Sequence, residues 1–163
     1  IIAALALGMI GDGLLVHFDK TKFFVMGLVA FLIGQIFYGV TFLRFVGFMW
    51  IDIAFYVVLV AIALFVYTRI NLNLGKMKIP VLAYVLIIAF MFVMAVSSLY
   101  KYGFNNLTSA MIAIGAVLFL ASDVVLAFVV FHEKPQKSLR AINLSLYYSA
   151  QIILALTLVT FGG

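Results

Sequence analysis

The sequence contains no cysteine, which removes disulfide frameworks, thiolate metal sites and cysteine nucleophiles together. Charge is nearly as scarce: Asp, Glu, Lys and Arg make up 9% of the 163 residues, against about 25% in soluble domains. With 68% hydrophobic residues and a mean hydropathy of +1.34, a water-soluble fold is ruled out. The net charge of +5 does not mark a nucleic-acid partner, because the basic residues sit singly or in pairs between apolar runs and form no solvated basic face. There is no glycine-rich phosphate loop after a strand and no His-x-x-x-His pair for a helical metal site. Neither a cofactor nor a metal is expected.

What is present is apolar run after apolar run. Stretches of about 20 such residues cross a bilayer as helices, and they fall at 1–16, 24–43, 46–68, 79–100, 107–131 and 139–161. The connections carry polar and turn-forming residues: His17 to Lys22, Arg44, Arg69 to Lys78 with Pro80 beyond, Lys101 to Asn106, and His132 to Ser138 with Pro135. The expected fold is all-α, a polytopic transmembrane bundle of about six helices forming a single domain over 1–163. The chain begins at Ile1 with an apolar run, no basic n-region and no small-residue cleavage site. This run is therefore read as a clipped span and not as a signal peptide, with the upstream part of the protein absent.

Short cytoplasmic loops are enriched in Lys and Arg. The face reached after helices one, three and five holds Lys20, Lys22, Arg69, Lys76, Lys78, Lys134, Lys137 and Arg140, whereas the opposite face holds Arg44 and Lys101. The first face is expected to be cytoplasmic, and in a bacterium the membrane would be the plasma membrane.

An ionisable group within a span is costly, rare and a functional candidate by default. Asp12 lies about one turn, and Asp123 about two turns, from the cytoplasmic ends of helices one and five. These helices run in the same direction, so both carboxyls belong to one leaflet. Ala4, Gly8 and Gly11 near Asp12, and Ala116 and Ala127 near Asp123, permit close helix contact. At a compatible depth, helix two supplies Gln35 and Tyr38, and helix six supplies Tyr147, Tyr148 and Gln151. These residues either form a polar cluster around the acids or act as hydrogen-bonding glue between helices. Asp52, with Trp50 and Arg44, reads as part of an interfacial belt at the other face. His17 and His132 read as loop residues. Ser122 cannot form a triad with its neighbour Asp123, since adjacent helical residues diverge by about 100°. The pair Gly11-Asp12 lacks the glycine two positions earlier that intramembrane aspartyl proteases carry, since Met9 stands there.

Four segments in register carry a family resemblance: Gly11-Asp12 at the end of a span, Phe31 to Tyr38, the run Gly115 to Asp123 followed by Leu126-Ala127, and Tyr147-Tyr148-Ser149-Ala150-Gln151. Through them the chain resembles the YhhN-like lysoplasmalogenases. The resemblance implies a membrane protein of about eight spans, so that roughly two helices would precede this chain. It also implies hydrolysis of the vinyl-ether bond of lysoplasmalogens to a fatty aldehyde and glycerophosphocholine or glycerophosphoethanolamine, with Asp12 and Asp123 as catalytic residues. The partners implied are a lysophospholipid, water and the surrounding lipids. In one departure, Gln35 stands where many members have a histidine.

Vinyl-ether cleavage needs an acid strong enough, and well enough placed, to protonate carbon. Withdrawal from water and a second carboxylate nearby both favour the neutral form of one aspartic acid. One aspartate is thus expected to donate the proton while the other, ionised, stabilises the oxocarbenium ion and orients water, as paired glycosidase carboxylates do. The sequence leaves the assignment open, with the deeper Asp123 favoured as the acid. Gln35, Tyr38, Tyr147, Tyr148 and Gln151 are expected to bind substrate or water. The alternatives are a proton-coupled transporter and a non-catalytic membrane protein using the same buried aspartates.

Overall fold

The computed structural model describes residues 1–16, 21–69, 74–131 and 137–161. Among the described residues are six α-helices and no strand: α1 (Ile2–Leu15), α2 (Thr21–Val46), α3 (Trp50–Arg69), α4 (Lys78–Tyr102), α5 (Leu107–Phe131) and α6 (Lys137–Thr160), with a 3-10 turn at Gly75–Met77. Helices α2 to α6 contain 20 to 26 residues. At 1.5 Å per residue the shortest spans about 30 Å, the thickness of a bilayer core. The first helix has 14 residues, about 21 Å, and among the described residues the other five are long and apolar enough to cross. His17, Lys20, His132 and Lys134 lie outside the described residues, as do the side chains of Lys76 and Lys137.

At the end remote from the 17–20 connection, glycines in the left-handed region stop two helices. Gly47 (φ 78°) and Gly103 (φ 75°) follow α2 and α4, and their N–H groups donate to the Leu43 and Leu99 carbonyls, as glycine C-caps do. Arg44, expected in a connection, therefore lies in the last turn of α2, because Gly47 supplies the turn. Lys101 Nζ and the Tyr102 hydroxyl donate to the Val46 and Phe45 carbonyls, so the α4 terminus satisfies groups that α2 leaves open. Asp52 also departs from the interfacial reading. It is buried, accepting from the Met49 N–H at 2.9 Å and from the Ser97 hydroxyl. A carboxylate at the third helical position bonding back to the cap N–H is half of a capping box. Trp50 beside it is 81% exposed, as an interfacial aromatic should be.

Helices α1, α2, α4, α5 and α6 pack in that order into a ring that a narrow α6–α1 contact closes, while α3 lies outside it against α4. The inward faces follow helical spacing: Phe31, Gln35, Tyr38 and Phe42 on α2; Ile88, Met91 and Ala95 on α4; Ile112, Ala116 and Phe119 on α5; Asn143, Tyr147, Ala150 and Leu154 on α6. Small residues set the close approaches. Ala4, Gly8 and Gly11 are all buried; a Cβ on Gly8 would come within 2.9 Å of the Tyr147 hydroxyl, and one on Gly11 within 2.7 Å of the Phe31 ring. On the largest seam, a Cβ on Gly115 would lie 2.6 Å from Leu154 Cδ2. Leu154 is wholly buried and has nowhere to retreat. Gly115→Ala is accordingly expected to cost about 1–3 kcal/mol and to lower the melting temperature in detergent. Gly13→Ala, which meets nothing within 4 Å, should leave it unchanged or slightly raised.

Candidate active site

Two cavities occupy the half of the bundle where α1 and α5 end and α2 and α6 begin. The first, about 250 Å³, is bounded by Asp12, Leu15 and Val16 of α1, Phe24 and Phe31 of α2, Ser122, Asp123 and Leu126 of α5, and Arg140, Asn143, Tyr147 and Tyr148 of α6. The second, about 200 Å³, lies between α2, α3, α4 and α5, with Leu15 at the end of α1. Its walls are aliphatic and aromatic side chains apart from Tyr84 and Asp123. Leu15, Phe24, Phe31, Asp123, Leu126 and Val130 border both cavities. Asp123 is the one ionisable group among these shared described residues, so a carboxyl stands where the more polar of the two cavities meets the apolar one.

Each aspartate is half-buried and has a tyrosine for company. Tyr84 of α4 donates its hydroxyl to Asp123 Oδ2 at 2.7 Å. Tyr147 lines the same cavity as Asp12. The Tyr147 ring is held edge-on between Phe31 (5.7 Å between centroids) and Phe119 (5.5 Å), which fixes where its hydroxyl points. From that hydroxyl a chain runs inward: Gln151 Nε2 donates to Tyr147 at 2.9 Å, and Tyr38 donates to Gln151 Oε1 at 2.8 Å. Gly8 leaves the space that this chain fills, since a Cβ there would fall 2.6 Å from Gln151 Nε2. Asn143 donates to the Ser122 carbonyl at 2.8 Å, tying α6 to α5 one residue before Asp123.

The residues expected at the site therefore divide. Asp12, Asp123, Tyr147 and Tyr148 line the polar cavity, whereas Gln35, Tyr38 and Gln151 border neither cavity and stand behind it. Gln35 is buried beside the Tyr84 hydroxyl, yet neither its amide oxygen nor its nitrogen meets hydrogen-bond geometry with a described group. Sequence reasoning missed Tyr84, although the depth argument that located Gln35 and Tyr147 applies to it. It lies six residues into α4, which starts from the same end of the bundle. Asn143 and the cavity-facing position of Arg140 were missed as well. Their signal is the helical spacing 140, 143, 147 on α6.

No group of three or more His, Cys, Asp or Glu side chains is arranged to hold a metal ion among the described residues. What the arrangement offers is acid–base chemistry between two carboxyls, each with a tyrosine near it, on one shared cavity. The support chain is separately testable. Gln151→Leu strands the Tyr38 hydroxyl, and interhelical polar contacts of this kind contribute about 0.5–2 kcal/mol. The double variant Tyr38→Phe/Gln151→Leu should melt higher than the sum of the two single losses predicts; additive losses would show that the two side chains do not act as a pair.

No match to this chain is found among curated proteins or among solved structures. A family model does match, over residues 1–158, and its description is the YhhN family. A match over nearly the entire chain, together with the all-helical membrane architecture, establishes that the chain belongs to the YhhN family.

Proposed function

We propose that the protein is a membrane lipid hydrolase of the lysoplasmalogenase type, cleaving the vinyl-ether bond of a lysoplasmalogen. The observation that carries this reading is the position of Asp123 at the junction of a polar and an apolar cavity, with Asp12 on the polar side. A lysoplasmalogen is divided in the same way. Its headgroup and glycerol are polar, its chain is apolar, and the vinyl ether lies where the two meet. A lipid with its chain in the apolar cavity and its glycerol in the polar one brings that bond to Asp123.

The chemistry assigns each group a task. Protonated Asp123 transfers its proton to the vinyl carbon one removed from oxygen, and the carbon adjacent to oxygen becomes an oxocarbenium ion. Tyr84, donating to Asp123 Oδ2, holds that oxygen and leaves the other free to carry the proton. Asp12, ionised and on the same cavity as Tyr147, stabilises the cation and takes a proton from the water that adds to it, giving a hemiacetal. Collapse breaks the bond from carbon to the glycerol oxygen: that oxygen gains a proton, the hemiacetal hydroxyl loses one, and aldehyde and glycerophospho-alcohol result. The proton drawn from Asp123 is returned over the cycle, so the sum is addition of one water. Tyr147 and Tyr148 contact the glycerol in this arrangement, and Gln35, Tyr38 and Gln151 support Tyr84 and Tyr147 from behind. Both cavities lie in the half of the bundle whose connections hold most of the basic residues, and the cytoplasmic leaflet is the proposed source of substrate.

Aldehyde release from purified, detergent-solubilised full-length protein supplied with lysoplasmalogen tests the proposal. General acid–base groups contribute about 10²–10⁴-fold, so Asp12→Asn and Asp123→Asn should each lower kcat by that order while the protein remains folded. Tyr84→Phe should lower kcat by about tenfold or more with little change in KM, the hydrogen bond to a carboxyl being worth about 1.5–3 kcal/mol. Full activity in either aspartate variant would refute the paired-acid mechanism, and no aldehyde from folded wild type would refute the hydrolase reading.

A further inference from the structure

Arg140 has no part in the acid–base chemistry, yet it lines the polar cavity. It is the one basic residue among the described residues that do. On α6 it shares a face with Asn143, Tyr147 and Gln151, at steps of three, four and four residues. This face descends from the mouth of the cavity to the hydrogen-bonded chain behind it. Arg140 lies three residues inside the start of α6 and Asp123 eight residues before the end of α5. Asn143 donates to the Ser122 carbonyl at 2.8 Å, and Arg140, three residues nearer the start of α6, stands about 4.5 Å further toward that end before the reach of its side chain is added. In a lysoplasmalogen five bonds separate the vinyl-ether oxygen from the phosphorus, about 6 Å when extended.

Charge gives the direction. An anion entering the cavity meets the Arg140 guanidinium at the mouth and the ionised Asp12 further in. It is attracted at the first position and repelled at the second, so the phosphate stays at the mouth while uncharged glycerol and chain proceed inward. Guanidinium groups bind phosphate oxygens through paired, charge-assisted N–H donors.

We infer that Arg140 is the phosphate ligand of the substrate headgroup, that it sets how deep the lipid sits, and that the protein therefore selects phosphate-bearing single-chain lipids over phosphate-free ones. This inference rests on the hydrolase reading for the identity of the lipid, but its test does not depend on turnover. Full-length protein is titrated with a saturated 1-alkyl lysophosphocholine, which has no vinyl ether to cleave, and with the matching 1-alkylglycerol, which has no phosphate. Wild type should bind the first at least about tenfold more tightly. Arg140→Ala should lower this ratio by about tenfold, and Arg140→Lys, which keeps the charge but loses the planar fork, should restore part of it. Melting curves of both variants beside wild type separate loss of the headgroup contact from loss of fold.

Equal weakening of both lipids in Arg140→Ala, or none, would overturn the inference. So would full displacement of the lysolipid by inorganic phosphate at micromolar concentration, which would make this a site for free phosphate. A protein that releases aldehyde but shows an unchanged ratio keeps the hydrolase reading and loses this one. A protein that releases none but shows the Arg140-dependent ratio does the reverse.

Discussion

Inside a bilayer a polar side chain has no water to fall back on, and the Tyr84–Asp123 hydrogen bond and the setting of Tyr147 on the cavity of Asp12 are the interactions on which the remainder of this structure turns. A carboxyl near the middle of a span costs a few kcal/mol, and that cost persists unless neighbouring helices bring donors to it. The ring closes around this requirement. Gly8 lets α1 approach α6 closely enough for Tyr147 and Gln151 to pack beside it, while Tyr84 reaches from α4 to α5. Edge-on contacts from Phe31 and Phe119 hold the Tyr147 ring. The glycine spacing, the aromatic packing and the polar chain are thus parts of one arrangement. At the opposite end the same rule is met more simply: Asp52 is fully engaged by Met49 and Ser97 and borders neither cavity.

Hydropathy sufficed for the helices, because crossing a bilayer demands long apolar runs and little else produces them. The depth of Asp12 and Asp123 was also legible, since counting residues from a helix end measures depth directly. Rotation about each helix axis was not. Tyr147 and Gln151 share a face of α6, and both were expected to touch substrate, but Tyr147 borders the cavity and Gln151 stands behind it. That difference depends on how α6 sits against α1 and α5. Tyr84 escaped notice because a single tyrosine in an apolar run has many ordinary roles, and its partner lies 39 residues away. Asp52 was placed at the right end of its helix, but its burial escaped notice for a similar reason: Ser97, which bonds it, is 45 residues distant. The turn at Gly47 was drawn too early because Arg44 is the more visible interruption, whereas the positive φ of the glycine is what ends the helix.

The junction between the two cavities links this architecture to the proposed chemistry. Water is needed at one stage only, to capture the cation, and a polar compartment beside Asp12 can supply it while the apolar compartment keeps the chain dry. The account's central claim is that a carboxylic acid in the cavity protonates carbon. Cleavage of lysoplasmalogen in heavy water, with the aldehyde reduced as it forms and its mass determined, tests that claim most directly. One deuterium at the carbon next to the aldehyde carbon, per turnover, is the predicted result; an aldehyde with no deuterium there would mean that carbon was never protonated and would contradict the mechanism.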